Sequence, residues 1–382
     1  MNADPLNHEA ANPQENLSAA RQNDPVRATE SRLLEIRREA ETKGKVETIG
    51  VRPPGAPFPI ASPETGYYGI HMLKEPQWTA EIPLYFFVGG AAGAAATIGT
   101  IADWTGFDEK VARDARWVTT LGAIASSALL ISDLGRPSRF LNMLRMFKPQ
   151  SPMSMGAWTL AAFGTFSGAN LFAQLVQDRF GSNAVVSVLK NSSQALTMLF
   201  GLPLHNYTGV LIGATAIPVW NHNIRSLPIH FGTSGLEAGT SILELMGNLD
   251  SSALNLIGIG SCALETYEGY HLERKRDPVV NEPLKHGVSG WITRAGGVLS
   301  GPVPLALRLA ALVMGGRAKN LRRAAAWSGV AGSLLTRYGW VRAGHASARD
   351  YRLPLGMKDT KVPRSLEKLQ SKPKVPQVKA AV

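Results

Sequence analysis

Residues 82–104 read IPLYFFVGGAAGAAATIGTIADW, a stretch in which Asp103 is the one charged residue. A transmembrane helix requires about 20 mostly apolar residues, because it must cross about 30 Å of hydrocarbon. This stretch meets that requirement, and so does the stretch from Met155 to Val176. The chain is therefore predicted to be a helical membrane protein.

Further apolar stretches extend this prediction to a bundle of about eight transmembrane helices. We place them near residues 82–104, 115–134, 154–177, 194–220, 229–247, 251–268, 296–314 and 324–341. Tryptophans lie at or near the ends of these stretches, as in the aromatic belts of membrane proteins. Small residues crowd the first and third stretches, which is typical of helices that pack closely in lipid. The predicted fold class is an all-α, polytopic membrane helix bundle.

The two ends of the chain differ in composition from its middle. Residues 1–77 are predicted to be a polar N-terminal tail with a short amphipathic helix at 29–41, TESRLLEIRREAE. Residues 78–342 form the predicted transmembrane domain, and residues 343–382 a disordered, basic C-terminal tail. Because these polar tails offset the apolar middle, the mean hydropathy of the whole chain is only −0.03.

The protein is basic, with a formal net charge of +11 from 40 basic and 29 acidic residues. Such a balance is found in proteins that bind nucleic acid, in proteins that meet anionic lipid, and in the flanks of membrane helices. We expect contact with the lipid bilayer and not with nucleic acid, because no basic patch is interleaved with aromatic residues. Cys262 is the single cysteine, which excludes an intrachain disulfide and a cysteine-ligated iron–sulfur cluster held by this chain alone.

The most informative sequence lies between the second and third predicted helices, ISDLGRPSRFLNMLRMFKPQSPMSMGAWTL at residues 131–160. Asp133 ends a helix at the membrane surface, and Arg136, Arg139 and Arg145 follow it. A carboxylate beside arginines is suited to accept protons or to hold the polar head group of a quinone. Binding of lipid head groups alone is the alternative.

Several stretches resemble the NrfD/PsrC family, the integral membrane subunits of the polysulfide reductase type. They are WTAEIPLYFFVGGAAG at 78–93, DLGRPSRFLNMLR at 133–145, SPMSMGAWTL at 151–160, YTGVLIGATAIPVW at 207–220, TRAGGVLSGPVPLALRL at 293–309 and RYGWVRAGHASARD at 337–350. The resemblance runs in order from about residue 66 to residue 350, and the polar tails lie outside it. Its most specific part is the run Asp-Leu-Gly-Arg-Pro followed by Ser-Pro-Met-Ser.

The resemblance implies a function in respiration. Members of this family hold a quinone or quinol, menaquinone or ubiquinone, near one membrane face, and typically carry no haem or metal in this subunit. A ferredoxin-like 4Fe-4S subunit docks there and exchanges electrons with a catalytic subunit, often a molybdopterin enzyme. The protein is therefore expected to be a multi-pass protein of the bacterial cytoplasmic (inner) membrane, without catalytic residues of its own.

In similar proteins the quinone pocket involves the start of the first helix. The candidate quinone-binding residues are His71, Gln77, Trp78, Glu81, Asp133, Arg136 and Tyr207. Family members often carry Asn or His at the start of the first helix, and Gln77 and Glu81 depart from that pattern in part. A purely structural interpretation is the alternative for these candidates. The four residues from His71 to Glu81 would form an interfacial cluster that meets water and lipid head groups. Asp133 would form a salt bridge to Arg136 or Arg139, and Tyr207 would be a tyrosine packed within the bundle.

Carboxylates in the fifth and sixth predicted helices are candidates for a proton path. Glu237 and Glu244 are spaced to share one helical face, and Glu265 lies in the next helix. Ionisable groups at membrane depth are costly and are usually functional. The alternative is that these short helices lie near the interface, where the carboxylates meet water. Arg308 and Arg337 are the expected ion-pair partners.

Three other functions compete with this interpretation. A di-haem cytochrome b anchor needs paired histidines at membrane depth, and we place only His205 well inside a helix. A transporter often has inverted repeats and broken helices; Leu202-Pro203 interrupts the fourth predicted helix, but no internal repeat is evident. A purely structural membrane anchor without quinone chemistry is the third alternative.

Overall fold

The structure, a computed structural model, describes residues 73–134, 136–274, 279–314 and 318–350, together with Glu35 and Arg38. These residues form helices and their connections. The helices are α1 (Glu81–Thr105), α2 (Glu109–Asp133), α3 (Pro152–Phe180), α4 (Ala184–Gly213), α5 (Pro218–His222), α6 (Leu227–Leu243), α7 (Ser252–Arg274), α8 (Glu282–Lys285), α9 (Gly287–Ser300), α10 (Pro302–Val313) and α11 (Ala318–Arg349). A 3₁₀ helix at Pro137–Leu144 connects α2 to α3, and a π-helical turn at Glu244–Asn248 extends α6.

The long helices confirm the predicted all-α, polytopic membrane bundle. Each of the eight predicted stretches coincides with a helical segment: α1, α2, α3, α4, α6 with its π-turn, α7, α9 with α10, and α11. Four segments of the described residues are long and apolar enough to cross a membrane by length and composition alone. They are Glu81–Thr105, Glu109–Asp133, Ala184–Gly213 and Gly287–Val313. The protein is therefore a multi-pass membrane protein.

Helix α1 is the central element, because its small residues let three helices approach it closely. A Cβ atom on Gly99 would lie 2.4 Å from the Cβ of Ala115 in α2, and one on Gly93 would lie 2.7 Å from the carbonyl oxygen of Gly201 in α4. On another side, Gly239 of α6 packs against the backbone of α1. Since lipid gives helices no hydrophobic reason to associate, such close contacts provide the van der Waals attraction that holds them.

Several helix limits differ from the predicted ones. The fourth helix ends at Gly213 and α5 begins at Pro218, because proline lacks the N–H that a continuous helix would need there. In contrast, α4 continues through Pro203, where an interruption was expected. The seventh predicted helix is divided at Gly301 into α9 and α10.

Only parts of the predicted N-terminal and C-terminal tails fall within the described residues. Helix α11 continues to Arg349, past the predicted limit of the transmembrane domain at residue 342. The amphipathic helix at 29–41, most of the predicted N-terminal tail and residues 351–382 of the C-terminal tail lie outside the described residues.

Candidate functional site

Asp133, a candidate quinone-binding residue, joins the end of α2 to the start of α1. The Thr79 hydroxyl donates a hydrogen bond of 2.7 Å to Asp133 Oδ1, and the Thr79 backbone N–H lies 3.4 Å from the same oxygen. The alternative salt bridge to Arg136 or Arg139 is not present among the described residues. Asp133 therefore fixes the position of the segment that precedes α1.

Trp78 in that segment rests on a wall of buried aromatic residues. Its ring stacks on Trp220 with the centroids 5.2 Å apart and meets the edge of Phe86 at 6.0 Å. The indole N–H of Trp220 donates a hydrogen bond of 2.8 Å to the carbonyl of Trp340 in α11. Gly344 makes room for this arrangement, because a Cβ there would lie 1.9 Å from the Trp220 ring. Trp220 and Phe86 thus fix the position of the Trp78 ring.

A cleft of about 810 Å³ opens beside Trp78. Its walls include Trp78, Pro83, His286, Ser289, Tyr338 and His345. The Tyr338 hydroxyl donates a hydrogen bond of 2.9 Å to the carbonyl of Ala80, which connects α11 to the start of α1. The volume lies within the range of about 300–1,000 Å³ that is usual for small-molecule sites. The cleft therefore offers a planar ligand both aromatic surface and hydrogen-bonding groups.

Glu75 closes one side of the cleft by pairing with the last turns of α11. His345 Nδ1 lies 2.9 Å from Glu75 Oε1, and Arg349 reaches both carboxylate oxygens at 2.8 and 3.0 Å. Burial alone would raise the pKa of Glu75, but the hydrogen bonds and the positive charges of Arg349 and His345 together outweigh burial and hold the pKa below its ordinary value. The Glu75 carboxylate is therefore charged at neutral pH and anchors the segment before α1.

We expect Glu75→Gln to remove a pH-dependent part of the stability. Because the pKa of Glu75 is depressed in the folded protein, its contribution is complete above the ordinary carboxyl value of 4.5 and is lost as the pH falls through the lower folded value. The contribution is about 1 kcal/mol or less, since the carboxylate is partly exposed to water. Melting temperatures of detergent-solubilised protein, measured from neutral pH to about pH 3 so that the range extends below the ordinary carboxyl value, should fall less for the variant than for the wild type. Asp250→Asn, in an exposed pair with Lys319 at 2.8 Å, is the matched control and should change little.

The other candidate quinone-binding residues are dispersed. Gln77 is exposed beside Trp78, and Glu81 begins α1 with Oε2 lacking a hydrogen-bond partner among the described residues. Arg136 is exposed on the connection between α2 and α3. The Tyr207 hydroxyl donates to the carbonyl of Pro152 at the start of α3, which agrees with a packed tyrosine. His71 lies outside the described residues.

The candidate proton-path carboxylates are buried in ion pairs. Arg308 of α10 lies between Glu237 and Glu244, with N···O distances of 3.1 Å and 2.6 Å. All three side chains are fully buried, so the alternative that these carboxylates meet water at the interface is wrong. Ser241 and Ser261 donate further hydrogen bonds to Glu237, at 2.9 and 2.7 Å. Arg308 is the expected ion-pair partner.

Glu265 occupies a second buried polar site nearer the start of α6. It accepts from Thr233 at 2.9 Å and lies 3.2 Å from His230 Nδ1. His230 lies in the first turn of α6 and is buried there. Arg337 was expected to pair directly with a carboxylate; instead it donates to the carbonyl of Phe231 at 2.8 Å and lies 4.1 Å above that ring. The hydrogen-bond partners of Glu265 are therefore His230 and Thr233 of α6 together with Ser300 of α9, whose hydroxyl donates at 3.1 Å.

A third polar cluster, centred on Arg116, was not predicted. Its guanidinium contacts Gln174 at 2.7 Å, Gln194 at 2.9 Å and Asp103 at 2.9 Å, and thereby connects α1, α2, α3 and α4. An enclosed space of about 10 Å³ beside it is close to the volume of a single water position. The sequence contained a signal in the form of polar residues within otherwise apolar helices. Which of them meet, however, depends on the packing of four helices.

Comparison with known proteins agrees with the architecture. Residues 70–249 match the sequence model of the family "Polysulphide reductase, NrfD", which covers the start of α1, the candidate cleft residue Trp78 and both Glu237 and Glu244. The sequence is also similar to that of the C subunit of polysulfide reductase from Wolinella succinogenes, with 28% identity over 189 residues. That alignment covers 45% of this chain and spans 58% of the length of the relative. Residues 70–249 of this protein are thus similar in sequence to the NrfD family of polysulfide reductase-type membrane proteins.

Proposed function

We propose that this protein is the quinone-binding membrane subunit of a multi-subunit respiratory oxidoreductase in the bacterial cytoplasmic membrane. The similarity to a protein named as one subunit of polysulfide reductase supports a role within a larger complex. The observation that carries the proposal is the cleft beside Trp78, because it combines size, aromatic surface and polar groups at one end of the helix bundle.

The cleft fits the chemistry of a quinone head group. A quinone is a flat ring with two carbonyl oxygens, so it needs an aromatic or apolar surface for the ring and donors for the oxygens. Trp78 and Pro83 offer the first, while the Arg342 guanidinium and the His286 ring offer the second. The Tyr338 and Ser289 hydroxyls line the cleft but already donate to the carbonyls of Ala80 and Pro283. The apolar isoprenoid tail of the ligand would remain in the surrounding lipid.

Reduction of a quinone consumes two electrons and two protons, and the reverse reaction releases them. The electrons are exchanged with a ferredoxin-like 4Fe-4S partner subunit, since the single cysteine of this protein, Cys262, is too few to hold such a cluster. That partner in turn serves a molybdopterin catalytic subunit. In this proposal the membrane subunit binds quinone as a substrate and contributes no haem or metal.

Protons move along α6 in this proposal. His230 and Glu265 lie at the end nearer the cleft, Glu237 and Glu244 follow at intervals of two helical turns, and Asn248 ends the row. The Asn248 amide donates a hydrogen bond of 2.7 Å to Asp114 at the start of α2. A row of buried ionisable groups that extends over the length of a membrane helix is the arrangement expected of a proton path.

The proposal predicts that Trp78→Leu weakens quinone binding about tenfold, because the variant loses the aromatic contact worth about 1.5 kcal/mol. Binding of a short-chain menaquinone analogue to the purified protein would be measured by equilibrium dialysis. Trp327→Leu is the matched control: it also replaces a tryptophan, but an exposed one that lies eleven residues before Tyr338 in α11 and does not line the cleft. This variant should bind as the wild type does.

Two other outcomes would contradict the proposal. If the protein is isolated together with soluble redox subunits but binds no quinone analogue, it is a structural anchor. If vesicles containing the protein take up a solute without any electron donor, it is a transporter. Continuity of α4 through Pro203 removes one feature that favoured the transporter.

A further inference from the structure

We propose that residues 136–148, here called the basic segment, bind the head groups of anionic phospholipids. The segment connects α2 to α3 and includes the 3₁₀ helix Pro137–Leu144. It carries Arg136, Arg139, Arg145 and Lys148. This proposal is independent of quinone binding, because it concerns a surface outside the cleft.

The charge of the basic segment is uncompensated within the described residues. Its four cationic side chains are exposed, and none forms an ion pair with a described residue. The nearest carboxylate in the sequence, Asp133, already accepts two hydrogen bonds from Thr79. No acidic residue occurs from residue 134 to residue 177. The surface therefore attracts an anionic partner.

Apolar side chains between these cations identify the partner as lipid. Leu141, Met146 and Phe147 are exposed to 72%, 60% and 57%. A membrane surface accommodates both kinds of group at once, because it accepts the apolar side chains among the acyl chains and the cations at the level of the phosphates. The segment also lies between two helices of the bundle, so it meets the membrane surface directly.

The basic segment is held in a fixed position against α3. The carbonyl of Met146 accepts hydrogen bonds from Ser154 at 3.1 Å and from the Trp158 indole at 3.4 Å. The Phe147 ring meets the edge of Trp158 with centroids 6.1 Å apart. The Lys148 backbone N–H donates to Ser154 at 3.1 Å. Because residues 146–148 are held in place before binding, the backbone at this end of the segment loses little conformational entropy when lipid binds.

The proposal is tested by lipid binding to the purified full-length protein. Phosphatidylglycerol and phosphatidylcholine would be titrated into the detergent-solubilised protein, and bound lipids counted by native mass spectrometry. Each surface cation contributes about fivefold to the affinity for anionic lipid. The variant R136Q/R139Q/R145Q should therefore bind phosphatidylglycerol about 100-fold more weakly than the wild type, with phosphatidylcholine binding unchanged.

Two further variants test the cause of a weakened lipid binding. One tests whether it comes from the lost charge, and the other whether the charge must lie in the basic segment. R136K/R139K/R145K keeps the charge and should keep the preference for phosphatidylglycerol. R113Q/R179Q/R323Q removes the same charge from exposed arginines at other helix ends and should also keep it. If the wild type binds both lipids equally, or if the two glutamine variants lose the preference to the same extent, the proposal is wrong. If R136Q/R139Q/R145Q keeps the lipid preference but no longer co-purifies with soluble subunits, the basic segment binds a protein instead.

Discussion

Replacing Arg308 by methionine should lower the free energy of unfolding by about 3–5 kcal/mol, because it leaves two buried carboxylates without a counter-ion. Glu237 and Glu244 are both fully buried, and Arg308 is the cation within hydrogen-bonding distance of each, at 3.1 and 2.6 Å. Removal of one partner from such a group leaves charge in a medium that solvates it poorly. The loss would be measured by unfolding the purified protein in detergent mixtures of increasing denaturing strength.

The triple variant E237Q/E244Q/R308M tests whether charge is the cause. It removes the carboxylate charges together with the guanidinium, and replacing a whole buried ionic group by neutral residues is often neutral or stabilising. Most of the stability lost in R308M should therefore return. If the triple variant is as unstable as R308M, the guanidinium acts through packing and hydrogen bonds to groups such as Ser241, and the electrostatic explanation is wrong.

The positions of the helices could be predicted from the sequence because the membrane itself sets their length. Hydrocarbon thickness requires about 20 apolar residues, so each long apolar stretch identifies one crossing. Helical periodicity also placed Glu237 and Glu244 on one face, where a single arginine reaches both. Local breaks were harder to predict: Pro218 begins a new helix after an irregular connection, whereas Pro203 lies within a continuous one. Neighbouring helices can satisfy the backbone groups that a proline leaves unpaired, and that depends on tertiary packing.

The candidate site was predictable only in part, because its residues come from distant parts of the sequence. Trp78 was identified near the start of α1, but the cleft beside it also requires α9 and the end of α11. The ion pair between Glu75 and Arg349 joins residues on opposite sides of the transmembrane domain in sequence. Arg116 is not among the predicted site residues, yet it is buried among three partners. Such pairings depend on which helices are neighbours, and helical periodicity within one stretch does not contain that information.

Gly258 should be nearly as important for stability as Arg308, since the guanidinium occupies the space that a side chain at residue 258 would need. A Cβ there would lie 2.3 Å from Arg308 Cζ and 2.5 Å from Nη1, distances that real Cβ atoms do not adopt. Gly258→Ala should therefore push the guanidinium away from its two carboxylates and cost about 3 kcal/mol, from overpacking and weakened ion pairs together. The same detergent-unfolding measurement would report it.

Gly260, in the same helix α7, provides a matched control. A Cβ on Gly260 meets no atom within 4 Å, so Gly260→Ala should stabilise the protein by about 0.5–1 kcal/mol through helix propensity alone. The double variant G258A/R308M then isolates the cause, because the added methyl group has no guanidinium to displace once Arg308 is gone. Its unfolding free energy should be close to that of R308M. Should G258A prove as stable as G260A in the wild-type background, the guanidinium does not pack against α7, and the buried ionic cluster is arranged differently from the one described.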